Sequence, residues 1–391
     1  MEYVKLNELC DINIGKTPSR SNNSYWEKGE NKWLAISDLK SKYISESKEA
    51  ITNLAIKENN MKLVPKNTVV MSFKLSIGKV AILKDDMYTN EAIANFQIKN
   101  KELITPEYLY YALKILNFDN ADRAVMGATL NKKKLNDIKI LYCNIEIQNK
   151  IVNILNKAQN LIDKKKEQII LLDELVKSRF IEMFGNLYIN NKNWKESIIS
   201  EYCQVKGGKR VPKGEKLSDK PTKHPYLRVL DLKNATVIDD NIKYITDDIY
   251  EKIKRYTITS NDVYLTNVGE KLGMAGTIPE KFNNANLTEN AVKLIFDNSI
   301  INKVYLAYYL NSDVGQKYIL ERKLSVGVPK LAIFRIESLP LILPPIELQN
   351  KFENFVNEVD KLKFEMENSL KELEDNFNSL MQKAFKGELF N

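Results

Sequence analysis

Histidine is nearly missing from this chain of 391 residues, with His224 the single example, and cysteine occurs three times. Mechanisms that need a His-containing triad, a multi-His metal site or a His pair are therefore excluded. Three scattered thiols supply neither a disulfide framework nor a thiolate metal cluster. No apolar run approaches the roughly 20 residues that span a bilayer, and no basic-then-apolar leader opens the chain. These absences predict a cytoplasmic protein of two or more domains with no membrane partner. What is present is ordinary for a globular chain: 43% hydrophobic and 28% charged residues, enough for a sizeable core.

The net charge of +8 is unevenly placed. Residues 1–145 carry 22 basic against 17 acidic side chains, and 191–345 carry 24 against 18. Between and after them, 146–190 are almost neutral at 7 against 6, and 346–391 are acidic at 6 against 10. Two long basic blocks separated by short neutral or acidic ones suit an anionic partner gripped twice.

The chain also repeats itself, which decides how everything else is read. Ile145 to Lys150 (IEIQNK) recurs as Ile346 to Lys351 (IELQNK). Leu9 to Lys16 lies against Tyr202 to Lys209, and Trp33 to Lys40 against Tyr226 to Lys233. Tyr108-Leu109 matches Tyr305-Leu306, and Gly127 matches Gly327. Each half thus has one order, a globular block and then a helix, with boundaries at 1–145, 146–186, 187–345 and 346–391. Within the blocks, apolar and β-branched runs such as Thr68 to Phe73 and Asp262 to Leu265 sit between turn signals and read as strands. Pro106 to Leu113 and Val304 to Leu310 have helical spacing, the first with Thr105 as N-cap and Pro at the first helical position.

The helices that end the halves carry apolar residues at steps of three and four over about 37 residues, which is a coiled-coil seam about 55 Å long. The first seam runs Ile151, Ile154, Ala158, Leu161, Ile169, Leu172, Val176, Phe180 and Met183. The second runs Phe352, Phe355, Val359, Leu362, Met366, Leu370, Leu373, Phe377, Leu380 and Ala384. Because a globular block separates them, an antiparallel pair is expected. The fold class is α+β: two similar mixed blocks separated by two long helices in an antiparallel coiled coil.

Familiar catalytic motifs fail on inspection. Gly15-Lys16-Thr17 resembles the end of a phosphate-binding loop, but the Gly required five residues earlier is Cys10. Gly269, Gly273 and Gly276 lack dinucleotide-site spacing. Pro344-Pro345 lies between Leu343 and Ile346, without the flanking Asp or Asn and aromatic that an amino-methyltransferase uses. No Pro-Asp dipeptide exists to start a common restriction-type nuclease site. Neither a catalytic nor a metal site is expected.

Basic and small residues on loops at equivalent places in both halves remain. The first pair of clusters is Lys16, Thr17, Ser19 and Arg20 with Lys209, Arg210 and Lys213, each after a Gly that lets backbone approach a partner. The second is Lys74 and Lys79 with Asn267 and Lys271. The third is Arg123, Asn131, Lys132 and Lys133 with Arg322, Lys323 and Lys330. Lysine on a loop is usually only solvated, but three clusters recurring at matching positions point to phosphate contacts on DNA. Asn131, Asn267 and Arg210 are candidates for reading base edges.

The ends of the two helices, Leu175 to Asn186 and Ser379 to Leu389, together with Leu343 to Gln349, resemble the specificity subunit of type I restriction-modification systems. The resemblance covers essentially the whole chain. It departs at Tyr142-Cys143-Asn144, where the second half has Leu343-Pro344-Pro345. It implies that the blocks are target recognition domains, each reading one half of a split, asymmetric double-stranded DNA sequence. It implies further that the helices act as a ruler and dock two methyltransferase subunits, with separate restriction or translocase subunits completing the complex. S-adenosylmethionine, ATP and Mg would be held by those partners, and no cofactor by this chain. A coiled-coil adaptor that binds only proteins is the alternative, and the repeated basic loops argue against it.

Overall fold

The strand Val69–Ser72 is apolar at three successive positions, Val69 to Met71, and a strand with that pattern must be covered on both faces. In the computed structural model, which describes residues 2–74, 76–116, 132–324 and 327–390, Val69 and Met71 enter one core, whereas Val70 on the opposite face enters another. Val263–Thr266 repeats the arrangement, with Val263 and Leu265 in one core and Tyr264 in a second.

Two compact units form, residues 1–167 with 367–391 and residues 168–366, so each takes in one half of both long helices. In the first, Cys10–Ile14 pairs antiparallel with Ile93–Ile98, which pairs with Val69–Ser72, and that strand with Val80–Leu83. A smaller sheet has Asn31–Leu34 parallel to Tyr88–Thr89 and antiparallel to Glu49–Ile51. A ribbon of Glu2–Lys5 and Lys139–Tyr142 closes the block. In the second unit the same three assemblies recur. They are Cys203–Gly207, Ala291–Phe296, Val263–Thr266 and Ala275–Thr277, then His224–Leu227 between Ala285–Leu287 and Lys243–Ile245, then Lys195–Ile198 with Pro340–Leu343. The second unit also has a hairpin, Leu232–Lys233 with Thr236–Val237, and, after Lys303–Asn311, a helix, Asp313–Arg322. Helices Pro106–Lys114 and Lys303–Asn311 start at Thr105 and Asn302, whose side chains accept from backbone N–H groups of the first turn.

The long helices are Ile145–Phe184 and Ile346–Lys386. In the second unit Phe180 and Phe184 pack on Phe352, and Lys363 pairs with Asp173 at 2.7 Å, so the numbers run in opposite senses and the pair is antiparallel. In the first unit Ile151, Leu155 and Ile162 share a core with Phe377, Met381 and Ala384, and Lys166 pairs with Glu374. The expected seam needs a correction here. Leu155 and Ile162 are the buried positions, while Leu161 is 56% exposed. The reason is that this stretch covers its own block as well as the other helix, as the Tyr111 hydroxyl donating to Asn156 Oδ1 at 2.7 Å shows. Serving two surfaces shifts the stripe off a strict coiled-coil step.

Each long helix is fastened to its block by one wholly buried glutamine. Gln148 Oε1 accepts from the N–H of Thr105, and its Nε2 donates to the carbonyls of Leu103 and Cys143. Gln349 does the same with Asn302, Ile300 and Pro344. Nearby, Tyr108 and Tyr305 donate to Leu141 and Ile342 carbonyls at 2.8 and 2.7 Å. Gln148→Ala strands the buried Cys143 carbonyl and leaves the part-buried Thr105 N–H and Leu103 carbonyl without their partner, so urea unfolding should show a loss of about 1–3 kcal/mol. Gln148→Glu should cost at least as much, because a carboxylate would face both carbonyls without a donor.

Candidate nucleic-acid interface

Main-chain hydrogen bonds bring the basic loops of each block to one end of its sheets. In the second unit Gly208 N–H donates to Ala291 and Lys209 N–H to Leu287, tying the 208–213 loop to the turn at 288–290. Asn267 N–H donates to Asn290, Gly269 N–H to Pro329, and Leu331 N–H to Asn267. The loops bearing Lys209, Arg210, Asn267 and Lys330 therefore form one continuous edge. In the first unit Gly15, Lys16 and Phe73 N–H groups donate to Ile93, Thr89 and Ala92, the counterparts of the bonds made by Gly208, Lys209 and Asn267. Lys74 and Lys79 follow on that loop, with the Lys79 N–H bonded to Ser72 Oγ.

The glycines at these edges serve a purpose other than the one expected. A Cβ on Gly15 would lie 2.1 Å from the Thr89 carbonyl oxygen, and one on Gly208 2.1 Å from that of Thr288. Their missing side chains admit the chain's own carbonyls rather than a partner. The following carbonyl is also held alike. Trp33 Nε1 donates to Lys16 O at 3.0 Å, and the Tyr226 hydroxyl to Lys209 O at 2.8 Å.

The predicted side chains divide by how they are held. Lys16 Nζ donates to the carbonyls of Asn59 and Asn60 at the end of a short helix, so it caps the block. Arg20 forms a bidentate pair with Glu49, at 2.5 and 2.9 Å, and lies 3.8 Å over the Trp26 ring and 4.9 Å from that of Trp33. The guanidinium holds the Glu49 carboxyl below the usual carboxylate range. Arg210 is looser. It meets Glu289 through Nε at 2.5 Å, and its side chain is 75% exposed. Burial works to raise the Glu289 carboxyl, but hydrogen bonds from Arg210, its own backbone and Thr288 outweigh it and leave the group below its ordinary value. Lys79, Lys213 and Lys330 are exposed, whereas Lys74, Lys271 and Lys323 are half-buried. Arg322 donates to the Tyr318 carbonyl, and its own carbonyl accepts from Arg335. Ser19 is exposed and its carbonyl accepts from Trp26 Nε1.

Two of the expected DNA-facing groups stand buried without a hydrogen-bond partner, Thr17 Oγ1 and Asn267 Oδ1. The third cluster of the first block differs from expectation. Lys132 and Lys133 are not on a loop but open a helix, Lys132–Asp137, beside Leu6–Leu9, with Asp137 paired to Lys5. Its counterpart is Ile333–Glu337 rather than the Pro329-Lys330 loop, because Leu6 and Ile199 bond the carbonyls just after each helix, Ile138 and Leu339. Arg123 and Asn131 lie outside the described residues. The clamp of Trp26, Trp33 and Glu49 on Arg20 was not foreseen, since these residues are up to 29 positions away and only the sheet pairing brings them together.

The remaining chemistry is subdued. Burial pushes the thiols of Cys10 and Cys203 up to about 12, so at neutral pH they are protonated core groups rather than nucleophiles. Among the described residues no group of three or more His, Cys, Asp or Glu is placed to hold a metal, and no helix is long and apolar enough to cross a membrane.

Comparison with known proteins agrees with this geometry. The family model for the type I restriction modification DNA specificity domain matches residues 1–172 and again 191–375. The type I restriction enzyme MjaIX specificity subunit of Methanocaldococcus jannaschii is 27% identical over 99% of this chain and 93% of its own length. The MjaVIII specificity subunit of the same organism is 23% identical over 74% and 70%. Among solved structures, the S subunit from M. genitalium shares the fold with a TM-score of 0.51 and 17% identity, covering 98% of this chain and 96% of that one. A chain from a study of type I R-M complex assembly and conformational transition has a TM-score of 0.61 at 16% identity, covering 99% and 98%. With two matched domains filling most of its length, the chain belongs to the family of type I restriction-modification DNA specificity subunits.

Proposed function

We propose that each block reads one half of a split, asymmetric double-stranded DNA target through the edge described above. The paired helices dock two methyltransferase subunits, and restriction or translocase subunits join that assembly in the cytoplasm. This chain itself carries out no chemistry; S-adenosylmethionine, ATP and Mg are bound by the partners. The observation that carries the reading is the duplicated edge: in both blocks three matching main-chain hydrogen bonds, from Gly15, Lys16 and Phe73 and from Gly208, Lys209 and Asn267, gather basic loops at one end of the sheets. Lys79, Arg210, Lys213 and Lys330 are exposed and are assigned to phosphate oxygens, and Arg210 also to base edges, whereas the Asn267 amide, its oxygen buried and its nitrogen donating to the Leu331 carbonyl, supports the loop. Lys16 and Arg20 act by shaping the first edge. Lys132 and Lys133 are exposed beside that block's terminal ribbon, as supplementary phosphate contacts.

Purified alone, the chain should bind DNA in a salt-dependent way yet transfer no labelled methyl group and make no cut; methyl transfer without partners would sink the non-catalytic reading.

In the assembled complex, Lys209→Ala with Arg210→Ala should degrade one half of the methylated motif. Lys74→Ala with Lys79→Ala should degrade the other half. For every phosphate left without its cation, the slope of log affinity against log salt should fall by about 0.9. Methylome mapping of both double variants decides the matter, and blurring of the same half by both would overturn it.

Arg20 and Arg210 should separate in stability. Arg20→Ala removes a cation stacked on tryptophan and a bidentate ion pair, so thermal unfolding should fall by the equivalent of about 1–2 kcal/mol. Arg210→Ala, in an exposed pair, should change stability by less than about 1 kcal/mol. The Glu49 carboxylate, depressed in the fold, adds stability at neutral pH that fades as pH falls through the acid range below its ordinary value. The Arg20 difference should shrink there.

A further inference from the structure

The turn at Arg228 to Asp231 has two apolar corner residues, of which Val229 is half-buried and Leu230 is exposed. Asp231 N–H donates to the Arg228 carbonyl at 2.9 Å, closing the turn, and Arg228 N–H donates back to Asp231 Oδ2 at 2.8 Å. The Arg228 guanidinium grips the same buried carboxylate at 3.0 and 2.7 Å and donates to the Asn241 carbonyl. Val229 and Leu230 are the corner residues. Turn corners favour Gly, Pro, Asn, Asp and Ser, yet Leu230 stands there 63% exposed. Burial does not account for it. The turn is instead held rigid by an ion pair that neutralises both of its charges, leaving an apolar tip.

Position supplies the second part of the argument. Thr288 N–H donates to the Leu227 carbonyl just before this turn, and the Tyr226 hydroxyl to Lys209 O, so the tip stands on the edge that carries Lys209 and Arg210. The first block has the same turn. Asp38 N–H donates to the Ala35 carbonyl and Ala35 N–H to Asp38 Oδ2, and Ile36 and Ser37 take the corners, with Ser37 exposed. One rigid frame therefore offers a leucine in one block and a serine in the other.

We propose that Leu230 is a specificity-determining residue of the second block, packing its isobutyl group on the C5 methyl of a thymine in the major groove, and that Ser37 holds the corresponding place in the first. Thymine methyls are the apolar features of the major-groove floor. Lysine and arginine beside the tip draw the phosphates in, and a preorganised tip gives up little entropy on binding. The proposal rests on the DNA-reading assignment of this edge and names one contact within it.

The test uses the complex with its methyltransferase partners and a duplex carrying the mapped target. Thymines of the half-site degraded by Lys209→Ala with Arg210→Ala are replaced singly by deoxyuridine, which removes only the methyl. One replacement should weaken the unsubstituted complex about fourfold, the worth of one buried methyl. Leu230→Ala should bind the thymine and uracil duplexes equally, at least fourfold more weakly than the unsubstituted complex binds thymine, with its unfolding unchanged. A half-site lacking thymine, no effect of any replacement, or discrimination retained by Leu230→Ala would overturn the proposal. Should Lys209→Ala with Arg210→Ala weaken binding while Leu230→Ala does nothing, the leucine contact fails alone. Should neither weaken it, the reading of this edge fails too.

Discussion

The structure depends on two buried glutamines. A helix that begins at a block boundary leaves its first N–H groups without partners, and the loop before it leaves carbonyls in the same state. Gln148 and Gln349 answer the loop's part of this need from inside the helix, each accepting one N–H and donating to two carbonyls. The three partners of each come from the cap of the block's helix, the loop before that cap, and the ribbon strand's end. One side chain thus fixes three segments against the helix start. A planar amide with one acceptor and two donors is the chemistry required, and neither Glu nor Leu supplies it. This is why the repeat is sharpest in the stretch around these residues, IEIQNK and IELQNK.

From that anchor each block is built outward to the edge that carries its basic loops. The strand that follows the short helix Leu6–Leu9 or Ile199–Tyr202 ends just before Gly15 or Gly208. There the chain passes so close to the neighbouring turn that no side chain fits. The basic loops are consequently displayed on a frame of backbone hydrogen bonds, and their side chains are at liberty to differ. Arg20 shows the limit of that liberty. It is a basic loop residue whose charge is taken up by Glu49 and whose face is covered by tryptophan, so it stiffens the edge instead of extending from it.

Much of this was legible in the sequence because a repeat displays its framework twice. The strands Val69–Ser72 and Val263–Thr266, the helices begun by Thr105 and Asn302, and the two long helices follow from local pattern. What escaped depends on contacts across many residues. The shift of burial from Leu161 to Ile162 arises because the helix covers two surfaces, and periodicity alone describes only one. Lys132 and Lys133 looked like a loop cluster by their spacing from a glycine, but the bond from Leu6 to Ile138 aligns their helix with Ile333–Glu337. The pairing of Lys16 with Asn59 and Asn60 could not be read from a chain in which any lysine on a loop looks solvated.

The two halves keep their frame by function rather than by residue identity. The carbonyl after each edge glycine is held by an indole in one block and a phenol in the other, Trp33 and Tyr226, with nearly the same donor distance. The turn carboxylates Asp38 and Asp231 bond the same backbone N–H in both, though only Asp231 adds an arginine. Substitution has therefore been accepted where the hydrogen bond survives, while the exposed positions between such points carry different side chains in each half. Those of them that the frame does not hold, unlike Lys16 and Arg20, can change without cost to the core. A subunit built this way can vary the exposed edge of one block while the anchor glutamine, the close-approach glycine and the turn carboxylate of that block stay as they are.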